Sequence, residues 1–154
     1  MILINNQIAA TAEVWADLKV PYVHRGFSRN GCDCSGLLVG VLQELGFVRD
    51  FEMPIYPIDW LLHDSNPNHL TTILPQYSEE VKGPIIRGDI LLFRFAKVIS
   101  HLAIFVGGNI MVHSQMGCPV SRDACLLGPR SKRVSGWSSR FVSSWRISLD
   151  KLTC

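Results

Sequence analysis

The sequence has few charged residues and no long apolar run. Asp, Glu, Lys and Arg make up 18% of the 154 residues, while apolar residues make up 47%. This composition is typical of a globular domain with a sizeable core and excludes a disordered chain. The longest stretch without these charged side chains, residues 98–121, contains serines, histidines and glycines that a lipid-facing helix would not carry. We therefore expect one domain over residues 1–154 and no membrane span.

Regular cysteine spacing and nucleotide-binding motifs are also missing. The five cysteines are an odd number without a pattern, which argues against a disulfide framework and favours a reducing compartment. There is no phosphate-binding loop, dinucleotide fingerprint, internal repeat or low-complexity segment. The first residues lack a basic segment and a cleavage site, so we expect synthesis in the cytoplasm without a Sec-type secretion signal.

Charge is unevenly distributed along the chain. From Arg122 onward, seven Lys or Arg stand against two Asp and give +5, whereas the preceding 121 residues carry −3. Such a basic segment can meet an anionic polymer, for example nucleic acid, a wall polymer or a membrane surface. No motif of interleaved basic and aromatic residues supports nucleic-acid binding, so we interpret the segment as a solvated surface and expect no nucleic-acid partner.

Hydrophobic spacing predicts helices first and strands later. Apolar residues recur every three or four positions over residues 5–18 and 34–45, with Asp33 as the N-cap of the second helix. Shorter helical turns are predicted at 59–62 and 68–74. Four β-rich segments follow, with a tight turn at Gly107-Gly108-Asn109, at residues 89–95, 101–106, 110–114 and 144–148. This order indicates an α+β fold with antiparallel strands.

Cys34 is the candidate nucleophile. It lies at the first turn of the predicted second helix, where unpaired N–H groups and the helix dipole favour a thiolate and would lower the thiol pKa. The same N–H groups can bind the oxyanion that forms when a thiolate attacks a carbonyl. The segment alone leaves an equal alternative, in which Cys34 is a small buried residue at the start of a core helix.

Two histidines on one predicted hairpin can supply a base. His101 begins a predicted strand and is expected to point away from its apolar face, and His113 lies twelve residues later on the neighbouring strand. A cysteine nucleophile needs such an imidazole, which a third polar group can orient. A zinc site of Cys32, Cys34 and both histidines is the rival interpretation, although Cys-x-Cys is tighter than the usual ligand spacing.

Taken together, these segments resemble the NlpC family of papain-like cell-wall peptidases, particularly the compact phage-tail and gene-transfer-agent type. The similarity extends over roughly residues 8–148. It implies an α+β, papain-like (NlpC-type) domain, in which a cysteine at a helix N-terminus packs on an antiparallel sheet that carries the histidines. The motifs that carry it are Tyr22, Asp33-Cys34-Ser35-Gly36-Leu37, Arg87-Gly88-Asp89, Ser100-His101, Val112-His113-Ser114 and Trp145-Arg146.

The resemblance also implies a reaction and a role for each residue. The family hydrolyses amide bonds in peptidoglycan stem peptides, commonly between γ-D-glutamate and diaminopimelate or lysine, and needs no cofactor. Cys34 would be the nucleophile, His101 the general base and later acid, and His113 the group that orients His101. The residues implied to contact substrate are Tyr22, whose hydroxyl would lie beside the reacting carbonyl, and Asp33, Ser35 and Ser100.

The sequence departs from the family after Tyr22, where His24-Arg25-Gly26 replaces the usual Trp-Gly-Gly and leaves substrate preference open. An acyltransferase or deamidase with the same site, and a non-catalytic tail-tip module, therefore stay as alternatives. We expect a monomer whose partner is the stem peptide and which reaches the wall through a virion tail or a secretion machine. No role is assigned to Cys32, Cys118, Cys125 and Cys154.

Overall fold

The computed structural model of the protein describes residues 2–49, 69–125 and 136–152. None of the helices in these ranges is long and apolar enough to cross a membrane. The helices are α1 (Ile2–Asp17), α2 (Cys34–Glu44), α3 (His69–Ile73) and α4 (Leu149–Leu152), with 3-10 turns at Leu74–Gln76 and Ser138–Arg140. The strands are β1 (Phe27–Ser28), β2 (Gly31–Cys32), β3 (Ser78–Glu80), β4 (Ile90–Phe95), β5 (Val98–Gly107), β6 (Ile110–His113), β7 (Ser121–Ala124) and β8 (Phe141–Ile147).

Six strands form one antiparallel sheet in the order β3-β8-β4-β5-β6-β7, and β1 pairs with β2 separately. The predicted hairpin is β5–β6. It reverses through Gly107, Gly108 and Asn109, which all have positive φ, a conformation that glycine and asparagine adopt more readily than other residues. The prediction of an α+β fold with N-terminal helices and an antiparallel sheet is confirmed.

The sheet buries apolar side chains on both of its faces, because successive strand residues point to opposite sides. One face packs against α1, α2 and α3 and forms the larger core, which includes Ile8, Trp15, Leu37, Leu102 and Ile104. The other face carries a smaller cluster that is partly covered by Trp137 and Phe141. Its buried members are Leu91, Phe93, Ala103, Phe105, Met111 and Cys125.

The buried carboxylate of Asp89, which directly precedes β4, pairs with Arg146 of β8 and also contacts α1. Arg146 donates from Nε and Nη2 to the two oxygens of fully buried Asp89, at 2.7 and 2.8 Å. Asn5 of α1 donates to the same carboxylate at 3.0 Å. Gly88 has φ +95° and passes so close to α1 that a Cβ on it would lie 2.1 Å from the Asn5 carbonyl oxygen. The Gly88-Asp89 and Trp145-Arg146 motifs of the sequence therefore meet here. We refer to the contacts of Asp89 with Asn5 and Arg146 as the joint at Asp89.

Several predicted boundaries differ from the structure. α1 begins at Ile2 rather than at residue 5, and the predicted turn at residues 59–62 lies outside the described residues. The expectation that His101 begins a strand is wrong, because β5 starts at Val98. In the pairing with β4, Phe93 is opposite His101 and the next pair skips Ser100. The irregularity places one extra residue in β5 at this point.

Candidate active site

The Cys34 thiol lies at the N-terminus of α2. Asp33 is the N-cap as predicted, since its Oδ1 accepts the Gly36 N–H at 2.8 Å and its Oδ2 accepts the Arg25 N–H at 2.9 Å. The cap places Cys34 in the first turn, where the Ser35 N–H donates to the sulfur. The thiol is therefore at the end of α2 where the helix dipole is positive.

Strand β5 contacts the other side of the thiol. The Cys34 Sγ donates to the Ser100 carbonyl at 3.7 Å and accepts the N–H of Leu102. In a strand, the backbone groups of every second residue point to the same edge. Those of Phe105 bond toward β4, so the even-numbered residues Ser100 and Leu102 are expected to present theirs at the opposite edge of β5. The β5–β6 pairing stops before it reaches them. The thiol thus occupies the gap where β5 and β6 diverge, against the backbone on both sides of His101.

The hairpin brings the two histidines into contact. His101 Nε2 and His113 Nδ1 are 2.9 Å apart, so that one nitrogen donates and the other accepts. Both side chains are buried, with 6% of His101 and none of His113 exposed. Since Nε2 of His101 bonds to His113, Nδ1 is the ring nitrogen of His101 that this contact does not use.

His101 points away from the larger core, as expected, but the face to which it points is apolar as well. Its ring stacks on Trp137 with centroids 4.9 Å apart and also contacts Phe93 and Phe95. These rings belong to or border the smaller apolar cluster. A neutral imidazole fits this environment because its faces are largely apolar.

Burial dominates the pKa values at the site. Burial, together with the nearby Asp33 carboxylate, raises the pKa of the Cys34 thiol to about 12 despite two backbone N–H donors. Burial and the neighbouring His113 lower the pKa of His101 to about 3. The expectation of a lowered thiol pKa is therefore wrong for this structure, since desolvation of a thiolate costs more than the helix terminus provides. Burial thus favours the neutral form of both the thiol and the imidazole.

The residues predicted to contact substrate lie near the thiol, and their hydroxyl groups have different surroundings. Burial, Asp33 and Cys34 raise the pKa of Tyr22 to about 12, so its hydroxyl keeps its proton. The Ser35 hydroxyl donates to Asp33 Oδ1 at 3.3 Å. The buried Ser100 hydroxyl has no hydrogen-bond partner among the described residues, and its carbonyl is the group that meets the thiol. Their contacts with substrate stay predictions.

Two residues beside the histidines are not indicated by the sequence. Asp123 on β7 places Oδ2 3.7 Å from His113 Nε2, and the same oxygen accepts from Trp137 Nε1 at 3.1 Å. The short, polar β7 shows no hydrophobic alternation that would reveal a strand. Trp137 follows a long basic segment without a periodic pattern, so only the tertiary structure brings it to His101.

The other described cysteines have different surroundings. Cys32 is buried in the larger core two residues before Cys34, Cys118 is exposed, and buried Cys125 donates to Asn109 Oδ1 at 3.6 Å. Cys154 lies outside the described residues. Within the three described ranges, no group of three or more His, Cys, Asp or Glu side chains is placed to hold a metal ion. The residues of the rival zinc interpretation are thus not assembled into a ligand set.

Comparison with known proteins identifies the family. The NlpC/P60 family matches residues 19–146, a range that contains Cys34, both histidines and the Asp89–Arg146 pair. The chain belongs to the NlpC/P60 family. Members of this family are cysteine peptidases that hydrolyse peptidoglycan, so the resemblance is confirmed at the level of the family. The phage-tail subtype stays a prediction.

Solved NlpC/P60 structures share the fold. An NlpC/P60 family protein from Bacillus cereus ATCC 10987 has a TM-score of 0.62 and 19% identity, over 93% of this chain and 40% of that one. NlpC1 from Trichomonas vaginalis has a TM-score of 0.59 and 17% identity, over 93% and 45%. The NlpC/p60 domain of peptidoglycan hydrolase SagA is 26% identical with a TM-score of 0.50, over 78% and 88%. The chain thus spans less than half of the first two NlpC/P60 proteins. No curated protein matches it.

Proposed function

We propose that the chain is a cysteine endopeptidase or amidase that hydrolyses amide bonds of peptidoglycan stem peptides through a thioester on Cys34. One observation carries the proposal, namely the Cys34 thiol at a helix N-terminus against the backbone on both sides of His101. His113 bonds to the other nitrogen of that imidazole. Nucleophile, base and orienting group therefore follow one another in the order that acyl transfer requires. Family membership supports the substrate class.

In the first step, the Cys34 sulfur attacks the carbonyl carbon while its proton passes to Nδ1 of His101. Both groups start neutral, so the proton moves as the bond forms rather than before. The oxyanion that develops is stabilised at the N-terminus of α2, where the Cys34 N–H is not used by the Asp33 cap. The protonated Tyr22 hydroxyl, whose pKa is raised to about 12, is a further donor beside the thiol.

In the second step, the C–N bond breaks as the amine takes the proton from His101, and the acyl group stays on Cys34 as a thioester. Water then gives a proton to His101 and attacks the thioester carbon. The sulfur leaves and recovers the proton from His101. The sum is one water added across one amide bond, with both side chains returned to their starting forms, and no step calls for a cofactor.

The scissile bond and the biological setting are the finer parts of the proposal. We extend it to the γ-D-glutamyl–diaminopimelate or γ-D-glutamyl–lysine bond, which the family resemblance of the sequence favours. The similarity to a peptidoglycan hydrolase domain over 88% of its length supports the polymer rather than a particular bond. Delivery to the wall by a phage tail or a secretion machine rests on the sequence resemblance alone.

Digestion of purified peptidoglycan tests the proposal. Diaminopimelate-type and lysine-type walls, and synthetic stem peptides of both kinds, are incubated with wild type, Cys34→Ala and Cys118→Ala, and the products are identified by mass spectrometry. Cys118→Ala is the matched control because that thiol is exposed and free. We expect new fragments from wild type and from Cys118→Ala, and none from Cys34→Ala.

The masses of the products separate the alternatives. A fragment with a free D-glutamate γ-carboxylate identifies the bond that the proposal names. Fragments joined to an added amine would instead identify an acyltransferase, and conversion of a side-chain amide to an acid without chain cleavage would identify a deamidase. Absence of any product that depends on Cys34 would contradict the proposal and favour a non-catalytic module.

A further inference from the structure

A carboxylate and an indole extend the pair of histidines on the side away from Cys34. The Oδ2 atom of Asp123 lies 3.7 Å from His113 Nε2 and accepts the Trp137 N–H at 3.1 Å. Trp137 also packs flat on His101 and edge-on against His113. Among the described residues, the fully buried Nε2 of His113 has no hydrogen-bond partner, so this carboxylate is the acidic group that it faces.

Proton positions along this series of side chains are coupled. The single proton between His101 Nε2 and His113 Nδ1 belongs to one ring or to the other. If His113 carries its proton on Nε2, its Nδ1 is an acceptor and His101 must hold a proton on Nε2. The Nδ1 atom of His101 then has a free lone pair for the Cys34 proton. The opposite arrangement places a proton on His101 Nδ1 and removes the base.

Asp123 favours the first arrangement for an electrostatic reason. An N–H on Nε2 of His113 points its positive end at the carboxylate, whereas a lone pair at that atom would face a negative oxygen across 3.7 Å. Because His113 is buried, water is not at hand to satisfy the nitrogen in its place. The Trp137 N–H fixes the position of the carboxylate oxygen.

We propose that Asp123, fixed by Trp137, is a positioning residue that sets the tautomers of His113 and His101 and so keeps Nδ1 of His101 ready to accept the Cys34 proton. The proposal deepens the proposed function and rests on it for the role of Cys34. Asp123 acts through His113, without touching the reacting atoms.

Within the described ranges, Arg140 also lies near this series, over the Phe95 ring that contacts His101. On the strands that pack around His113, the titratable neighbours are His101 from β5 and Asp123 from β7. Arg122, the residue next to Asp123, instead pairs with Asp17 of α1 at 2.7 Å on the exposed surface. The Asp17 carboxylate is therefore a matched control, because it contacts the same strand and no histidine. The groups that surround the thiol itself are Asp33, Tyr22 and Cys32.

Histidine tautomers can be read directly from long-range 15N–1H correlation spectra of the full chain. We expect both rings of the wild type and of Asp17→Ala to carry their proton on Nε2. Asp123→Ala and Asp123→Val both lack the acceptor, and the valine suits a strand, so that one folded variant is available. In either, His113 should populate the Nδ1–H tautomer. Asp123→Asn keeps an acceptor oxygen and should retain the wild-type tautomers.

The rate of Cys34 alkylation by iodoacetamide at neutral pH gives a second readout that needs no wall substrate. It should fall by about 10-fold or more in Asp123→Ala and Asp123→Val, because His101 then presents a proton to the thiol, and by less in Asp123→Asn. Wild-type tautomers or an unchanged alkylation rate in the folded alanine or valine variant would overturn the inference. Failure of the wild type to cleave peptidoglycan while its tautomers respond to Asp123 would remove the proposed function and leave the inference standing.

Discussion

The sulfur of Cys34 receives N–H groups from α2 and from β5, and yet its pKa is raised. The ring of His101 shows the reverse change for the same reason, since burial disfavours whichever form carries charge. The site is thus arranged for movement of one proton between two neutral groups. In the proposed reaction, charge arises only when a substrate carbonyl takes the electrons of the sulfur, and we expect the helix N-terminus and the Tyr22 hydroxyl to stabilise it.

Acid should destabilise the fold through His101. Its pKa is about 3 in the folded protein and has the ordinary value of 6.5 in an unfolded chain. Between these values the unfolded state binds a proton that the folded state does not, so the free energy of unfolding falls with falling pH, by up to about 1.4 kcal/mol per pH unit. Urea unfolding of wild type and His101→Asn at several pH values measures this. The variant should lose less stability on acidification, and equal slopes would contradict the assignment.

At the scale of elements, α2 is held in place by contacts that only glycine permits. A Cβ on Gly36 would lie 1.7 Å from the Gly26 carbonyl oxygen, and a Cβ on Gly40 would lie 2.3 Å from the Trp15 ring. The first turn of α2 therefore touches the backbone of the loop that follows Tyr22. We infer that this contact sets the position of the Cys34 thiol relative to β5.

Gly36→Ala should destabilise the protein and impair cleavage. Alanine favours a helix by about 1 kcal/mol over glycine, but the added methyl overlaps a backbone oxygen that a side-chain rotation cannot move. We expect a net loss of about 1–3 kcal/mol in the free energy of unfolding and a drop in peptidoglycan cleavage, because α2 must shift. Gly83→Ala is the control, since a Cβ there meets nothing within 4 Å. Equal stability and activity of the two variants would show that the loop yields.

The sequence predicts those elements whose local pattern agrees with the fold. Asp33 followed by an apolar stripe marks α2, and two short β-rich segments around Gly107 mark the hairpin. β3 and β7 are not predicted from the sequence because they are short and polar and lie at the two edges of the sheet. Local periodicity carries no signal for strands whose pairing is decided by their neighbours.

The candidate site divides in the same way. Cys34, His101 and His113 can be singled out because few residue types perform acyl transfer and their spacing fits a helix start and a hairpin. The burial of His101 cannot, since it depends on Trp137, which packs from a distant part of the chain. The contact of Asp123 with His113 cannot be predicted from the sequence either, because it also depends on tertiary packing. The raised pKa of the Cys34 thiol cannot be predicted for the same reason, since it results from burial.

At the scale of the whole molecule, Asp89 connects distant parts of the chain. Its carboxylate is fully buried and receives hydrogen bonds from α1, from β8 and from the Ile86 N–H at 2.8 Å. If the charge of its partner Arg146 is removed, the Asp89 carboxylate is left buried without a compensating positive charge.

Arg146→Met should therefore cost about 3–5 kcal/mol of stability, because the buried Asp89 carboxylate loses its countercharge. Arg122→Met is the matched control, because it breaks the exposed pair with Asp17 and should cost about 1 kcal/mol or less. Urea unfolding of both variants at neutral pH checks the difference. A cost for Arg146→Met no larger than that for Arg122→Met would contradict the role of the joint.

The joint at Asp89 also bears on how the domain opens. The helix that begins the described fold and the strand near its far end depend on one carboxylate, through Asn5 and Arg146. If α1 or β8 detaches, the Asp89 carboxylate loses hydrogen bonds that stabilise its charge. Local fraying of either element is therefore linked to opening of the whole core. A protease that cuts within α1 or β8 must therefore wait for global unfolding before either segment becomes accessible.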